Sequence, residues 1–448
     1  MKFKKAAYII GIALITVLIT FCGTKKKEKA RLSNIIIITV DALRADHLSA
    51  YGYPYQTSPN IDEFANKSTL FEYAYCPIPK TSASFASLMT GLHPFIHKTK
   101  PNRGFLDEKY ITLAEALKLK GYYNFAIVDN ANISKSFNFH QGFDEYAEVW
   151  NDIKKKTEST PCITKKVVEF FKNNKKTPFF LWVHYIETHS PYLPPDRFIE
   201  ERPKGRIINN VQHKIIASQR KYLDENSDEG YFLSRYDGAV KYIDDEFKKI
   251  IDLIFKKEYQ KNSIIIFSSD HGEELGEYNF FYNHGPLTFN SSARVPLIIF
   301  FPEKKSRRIR YPVSLMDIYP TLLAEAGLSL PYKIQGINLF EKPKQRLIFI
   351  KGHLGTRSVV YNNYHLVKVF PNLSKQLDLE NEYFFDIYKD PLEKKNASAD
   401  KKDLQNFMDE KYMEFYNKHG YLNKIKEDKK PSLSKKELEN LKALGYIR

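Results

Sequence analysis

Two stretches constrain this chain's fold more than any other: "NIIIITVD" at 34–41 and "SIIIFSSD" at 263–270. Both are rich in β-branched residues and show no polar alternation, the pattern of strands buried on both faces of a parallel sheet. In such sheets the ligand crevice opens at the carboxyl ends of the strands. Asp41 falls at one such end, and Asp270 with His271 at another. Taken alone, Asp41 reads equally as the cap of a following helix. Arg44, Asp46 and His47 come within the next six residues.

The remaining chain alternates in the same way. "SPNIDEFANKS" carries Ile61, Phe64 and Ala65 on one helical face, and "ITLAEALKLKGYYNFAIVD" reads as a helix ended by Gly121, then a strand. "KKVVEFFKNNKKTPFFLWVHYI" and "DDEFKKIIDLIFKKEYQKNSIIIFSSD" repeat the pattern. Helices between buried strands predict an α/β fold with a doubly wound, largely parallel sheet over residues 34–330. Past Leu330 the pattern weakens into "RLIFIKG", "YHLVKVF" and "EYFFDIY" and a charged helical tail. Residues 331–448 therefore read as a smaller C-terminal α+β subdomain.

The N-terminus has its own logic. "MKFKK" is a basic opening, followed by an apolar run from Ala6 to Phe21 and then Cys22. At 1.5 Å per residue that run spans roughly 24 Å, short of the ~30 Å hydrocarbon core of a membrane. A signal peptide over 1–22 with Cys22 as a lipidation site fits this length, followed by a polar linker over 23–33. Phe21 is bulky for the position before a modified cysteine, so an uncleaved anchor stays open beside it. Either reading exports the chain and tethers it to a membrane. Cys76 and Cys162 are the other cysteines, and one disulfide between them is open to an exported chain.

The net charge is +16, yet the lysines are scattered in short clusters such as "KKKEK" and "EDKKPSLSKK". Nothing here has the spacing of a zinc finger, a helix-turn-helix or a basic stripe interleaved with aromatics, so nucleic acid is not expected as a partner. A solvated basic surface remains, suited to anionic lipid or an anionic substrate.

The chemistry concentrates at three points. Asp41, Asp270 and His271 are ligand types for a divalent cation, the imidazole suiting zinc or manganese and the carboxylates magnesium, calcium or manganese. Gly272 is expected to free the backbone for a sharp turn, and His284 to return a further imidazole thirteen residues after His271. The third point, "PIPKTSASFASLMTG", suits a helix N-terminus that carries a hydroxyl beside an anion.

With "VDALRADHLSAYGY", "SASFASLMTG", "THSPYLPP", "DHGEELGE", "SLMDIYPTLLAEAGL" and "FFDIYKDPLEKKNAS" in this order, the chain resembles the sulfatase family of the alkaline phosphatase superfamily from Asn34 to Ile447. The resemblance implies an ester hydrolase with one divalent metal ion, which is calcium, manganese, zinc or magnesium. It implies Asp41, Asp270 and His271 as metal ligands, with Ala42 where many members carry a second aspartate. Counting back nine residues from Thr90, it places the nucleophile and a further ligand at Thr81. His189 matches the histidine that contacts the anionic group, Asn102 and His284 match polar pocket positions, and Glu187 lies beside them. The implied partner is a small-molecule, glycan-linked or lipid-linked anionic ester.

The departures bear on chemistry. Sulfatases proper oxidise a Cys or Ser to formylglycine within C/S-x-P-x-R. Thr81 cannot give that aldehyde, Ala83 replaces the proline and Phe85 the arginine, so no formylglycine is expected. "CPIPK" at Cys76 is a decoy, with Ile78 where proline belongs. A sulfated formylglycine hydrate expels sulfate by regenerating its aldehyde, and a sulfated threonine has no such exit. A phosphorylated threonine is open to in-line attack by water or an alcohol. The expectation is thus a sulfate or phosphate ester hydrolase. A phosphodiesterase or phosphoethanolamine-type transferase and a non-catalytic surface protein are the alternatives.

Overall fold

The computed structural model describes residues 32–200, 228–329, 332–341, 345–420 and 432–444. The expected signal segment and Cys22 lie outside the described residues. The frame is an eight-stranded sheet in the order Arg307–Ile309, Thr69–Phe71, Leu297–Phe300, Ser263–Ser269, Asn34–Val40, Phe179–Tyr185, Tyr123–Val128, Glu145–Glu148. The 34–40 strand lies between the 179–185 and 263–269 strands and pairs with both in parallel, and every residue of these three strands is buried. Leu297–Phe300 runs antiparallel to its neighbour, so the sheet is mostly parallel. Its apolar "LIIF" carries no signal of direction.

Helices cover both faces. The long helix Asp228–Lys256 turns Phe232, Tyr236, Val240, Ile243, Phe247, Ile250 and Ile254 onto one face, steps of three and four that keep a single stripe inward. Helices Pro59–Asn66 and Ser159–Asn173 join that layer through Ile61 and Phe64, and through Ile163, Val167 and Phe171. The opposite face carries helices Thr81–Thr90, Leu113–Lys118 and Ile318–Glu325. Each such aliphatic or phenyl group contributes roughly 1.5–3 kcal/mol on burial, so the sheet is held from both sides. This is the doubly wound arrangement expected.

Beyond it, Leu347–Lys351, Arg357–Tyr361, Tyr364–Lys368 and Glu382–Asp386 form an antiparallel sheet in chain order. Helix Lys402–His419 packs on it through Met408 and Tyr412 against Val359, Leu366 and Phe384. The strand Arg357–Tyr361 escapes a search for apolar runs because Arg357 and Ser358 open it. Among the described residues no helix is long and apolar enough to cross a membrane. Cys76 and Cys162 are both free, so they form no disulfide.

Candidate active site

The end of the 34–40 strand is held by its neighbours. The Asp41 N–H donates to the Tyr185 carbonyl at 2.8 Å, and Ala42 then turns the chain at a left-handed φ of 57°. The Tyr236 hydroxyl locks this turn, donating to the Ala42 carbonyl (2.8 Å) and accepting from the Arg44 N–H (2.9 Å). Arg44 is tied to Asp46 and Glu277, and His47 pairs with Asp237. The charges that crowd behind Asp41 in the sequence thus brace its loop.

Each of the two carboxylates has one oxygen held and one unpartnered. Asp41 Oδ2 accepts from Asn130 Nδ2 at 2.6 Å, with His184 Nε2 3.5 Å away, while Oδ1 has no partner. Asp270 Oδ1 accepts from the Ala42 N–H at 3.2 Å, and its Oδ2 has no partner. His271 Nδ1 lies 2.8 Å from the Gly272 carbonyl, which can only accept, so the proton sits on Nδ1 and Nε2 presents a lone pair. Donor atoms of Asp41, Asp270 and His271 all lie within 4.8 Å of one another, and all three residues are fully buried.

Buried carboxylate oxygens without partners are costly unless a ligand completes them. Two such oxygens and an imidazole lone pair fit one divalent cation. The titration of the group points the same way. Burial pushes Asp270 well above the usual carboxylate range, and the Asp41 charge pushes it further. At Asp41 the upward push of burial is outweighed by His189, His184 and His271, which hold it low. A bound divalent charge favours the ionised form of both. Burial lowers His271 to about 4, against the pull of Asp41, so the imidazole is neutral, the form that ligates.

Thr81 opens the buried helix Thr81–Thr90, with Lys80 as its N-cap and no side-chain cap bond from Lys80. The Thr81 Oγ1 sits 3.3 Å from His271 Nε2. The helix therefore presents a hydroxyl to the unpartnered oxygens from its first turn. Phe85, one turn on, points into the core against Trp182 and His184, at ring distances of 5.0 and 4.8 Å. A cation comes instead from Lys80, which is buried and pushed down to about 8 by desolvation, with Glu273 and Asp41 opposing. Its side chain runs past Gly285, where an added Cβ would meet Lys80 Cε at 2.1 Å.

The remaining expected residues divide. The His284 ring lies tilted against His271, with centroids 4.0 Å apart, and its Nδ1 pairs with Glu273 Oε1 at 2.9 Å, leaving Nε2 without a partner. His189 lies 5.1 Å from the His284 ring, with Nδ1 donating to the Ser190 carbonyl; burial lowers it to about 4. Glu187 points elsewhere, accepting from Thr160 Oγ1 at 2.7 Å. Asn102 makes no hydrogen bond to this group, although its Oδ1 is buried without a partner. Gly272 serves differently from the turn expected. An added Cβ would lie 2.1 Å from the Ser291 carbonyl oxygen, so close backbone approach excludes a side chain there. Cys76 Sγ is turned to the Ser292 carbonyl at 3.8 Å and makes no hydrogen bond to the group.

Asn130, His184 and Glu273 were not anticipated. Asn130 had a signal: "FAIVDN" ends an apolar strand on polar residues, as "NIIIITVD" does. His184 lies within the strand Phe179–Tyr185, where sequence reads only a buried run.

A mostly parallel sheet with a candidate metal site at its carboxyl edge and a hydroxyl at a helix start defines a class of ester hydrolases. The family model for sulfatases matches residues 33–328, and the chain belongs to that family. The arylsulfatase of Clostridium perfringens is 25% identical over 443 residues, covering 81% of this chain and 89% of the relative. A sulfatase of Formosa agariphila is 25% identical over 447 residues, with 86% of each chain covered. Among solved structures, a protein in complex with its substrate D-glucosamine-2-N,6-O-disulfate aligns with a TM-score of 0.69 at 19% identity, over 88% of this chain and 99% of that one. The phosphonate monoester hydrolase of Agrobacterium radiobacter aligns at 0.67 and 18% identity, over 90% and 99%. The shared fold is that of the alkaline phosphatase-like sulfatases.

Proposed function

We propose that this sulfatase-family protein hydrolyses a sulfate or phosphate ester with Thr81 as nucleophile, and that the threonine favours phosphorus. The observation that carries this reading is the place of Thr81 Oγ1, 3.3 Å from His271 Nε2 beside two unpartnered carboxylate oxygens. Asp41, Asp270, His271 and Thr81 would hold a divalent ion, which supplies Lewis-acid polarisation and lowers the pKa of a hydroxyl. In the first step of the phosphate route the Thr81 oxygen bonds to phosphorus and the ester's alcohol leaves, carrying away the proton that Thr81 gives up. Water then displaces Thr81 and releases the inorganic anion. His284, whose Nε2 is unpartnered and whose ring lies beside His271, would pass protons at the reacting group, with His189 packed against it.

The substrate class suggested by the relatives is an anionic ester on a small molecule or glycan. Export and tethering through Cys22, or through an uncleaved anchor, belong to the same reading. Cys22→Ala should release the protein from bacterial membranes or leave the precursor, whereas equal retention at precursor mass supports the anchor. Ala83 and Phe85 favour a non-catalytic relative as the second reading, since no arginine flanks Thr81.

A screen of aryl phosphate mono- and diesters against an aryl sulfate, with metal content measured, tests the proposal. Thr81→Ala should abolish turnover and leave the fold intact, Thr81→Ser should keep part of the rate, and Cys76→Ala should be nearly silent. Thr81→Ala turning over at the wild-type rate removes Thr81 from the mechanism.

A further inference from the structure

The carboxylates that face the ion's place end two adjacent strands, 263–269 and 34–40. The next two strands in the sheet, 179–185 and 123–128, also lead into carboxylates, Glu187 and Asp129. A lysine reaches this second pair. Lys156 lies in the short turn Lys156–Glu158, just ahead of helix Ser159–Asn173. Its Nζ is buried and has no hydrogen-bond partner.

The nearby carboxylates do not complete it. Asp129 Oδ2 accepts from Ser159 Oγ, and Glu187 Oε2 from Thr160 Oγ1, so hydroxyls of the following helix engage both groups. Asp129, Glu187 and Asp41 all act on the ammonium, and its charge reaches His189 in turn. A second donor on this side, Asn132 Nδ2, is also buried and unpartnered; its backbone carbonyl accepts from Ser82 Oγ, next to Thr81. Unpartnered acceptors, Asp41 Oδ1 and Asp270 Oδ2, end the 34–40 and 263–269 strands, whereas the unpartnered donors Lys156 Nζ and Asn132 Nδ2 belong with the 179–185 and 123–128 strand ends, beside one further unpartnered acceptor, Asp129 Oδ1. A buried ammonium without a partner is costly, and a ligand oxygen removes that cost.

We infer that Lys156 is an anion-binding residue of this site, donating to an oxygen of the substrate's charged group on the side of Asp41 away from Asp270. The inference rests on the ester-hydrolase reading for the identity of the anion. An oxyanion such as phosphate or sulfate bridges the two sides, its oxygens facing the cation at one and the ammonium at the other.

Binding of inorganic phosphate and of inorganic sulfate to the metal-loaded protein, followed by calorimetry, tests this apart from turnover. Lys156→Met should weaken the anion that binds by about tenfold or more with the melting temperature kept or raised, and Lys156→Arg should stay within about threefold. Asp129→Asn removes a competing negative charge and should tighten binding. Wild-type affinity in Lys156→Met overturns the inference. So does weaker binding in Asp129→Asn, which would make the lysine a structural partner of that carboxylate. If Lys156→Met does not fold, Lys156→Arg and Asp129→Asn decide by the same criteria. Failure of the wild-type protein to bind either anion also overturns it. Anion binding with no ester turned over sinks the hydrolase reading alone and leaves Lys156 to be judged on affinity.

Discussion

Asp317 and Asp270 are both fully buried aspartates, and they are built in opposite ways. Asp317 accepts from the Ser314 N–H at 2.8 Å, the Ile337 N–H at 2.9 Å and both terminal nitrogens of Arg346. Every oxygen is spoken for, and the residue ties helix Ile318–Glu325 to the chain that follows it. Asp270, like Asp41, has one oxygen anchored and the other turned to His271 without a donor. Burial alone therefore does not mark a site. An incomplete set of partners does, because a scaffold carboxylate is satisfied by its own chain and a ligand-holding one is not.

The sharpest way to break this contrast is through activity. Thr81→Ala should cut turnover by a factor on the order of a thousand or more, while Asp317→Asn keeps turnover in whatever fraction stays folded. Stability gives the next test. Asp317→Asn leaves the half-buried Arg346 beside a neutral amide and should cost about 2–4 kcal/mol in denaturant unfolding. Asp270→Asn in chelator should cost little or even stabilise, since it removes a charge that burial and Asp41 both disfavour. Adding metal should raise the melting temperature of the wild type and leave Asp270→Asn unmoved. A large loss for Asp270→Asn without metal would place it with the scaffold.

Glu187 sharpens the comparison through pH. Burial pushes its carboxyl up to about 7, with the Thr160 hydrogen bond and Lys156 opposing. The folded state then holds a proton that the unfolded state has lost, so stability falls as pH rises from about 4.5 to 7. Glu187→Gln removes that slope. It should gain on the order of 3 kcal/mol over wild type at pH 8 relative to pH 4, read from paired unfolding curves. A parallel pair of curves sinks the idea. The smallest effect belongs to the scaffold: Thr112→Ala breaks the capping box with Glu115 and should cost about 1 kcal/mol without touching turnover.

The sequence made the strand-end residues legible because two physical signals coincide there. A β-branched run with no alternation marks a central strand, and a carboxylate at its exit has no reason to be apolar-facing. Asp41, Asp270 and His271 share that signature, and the structure brings their donor atoms together. Thr81 was reachable only by counting against a family pattern, since a Ser/Thr-rich helix start looks like any other. His184, Glu273 and Lys156 were not legible. The first lies within an apolar strand, the second follows the metal-type pair as one of two acids, and the third sits in the charged run "IKKKTE". Their roles come from which neighbours fail to pair with them, and sequence carries no record of that. Asn102 shows the converse, since a position can match a motif while its side chain makes no hydrogen bond to the group, and Glu187, a neighbour of the motif histidine, turns to Thr160 instead.

The contact between the Ala42 N–H and the Asp270 carboxylate joins residues 228 apart in the chain. A ribosome or a secretion channel that has released only the first half of the protein has released half a chelator. No shorter piece offers these donor atoms together, so an ion held there would be drawn from whatever compartment the chain occupies when its last central strand docks. On the proposed reading, choice of metal would thereby be a matter of where folding ends as much as of which atoms wait for it.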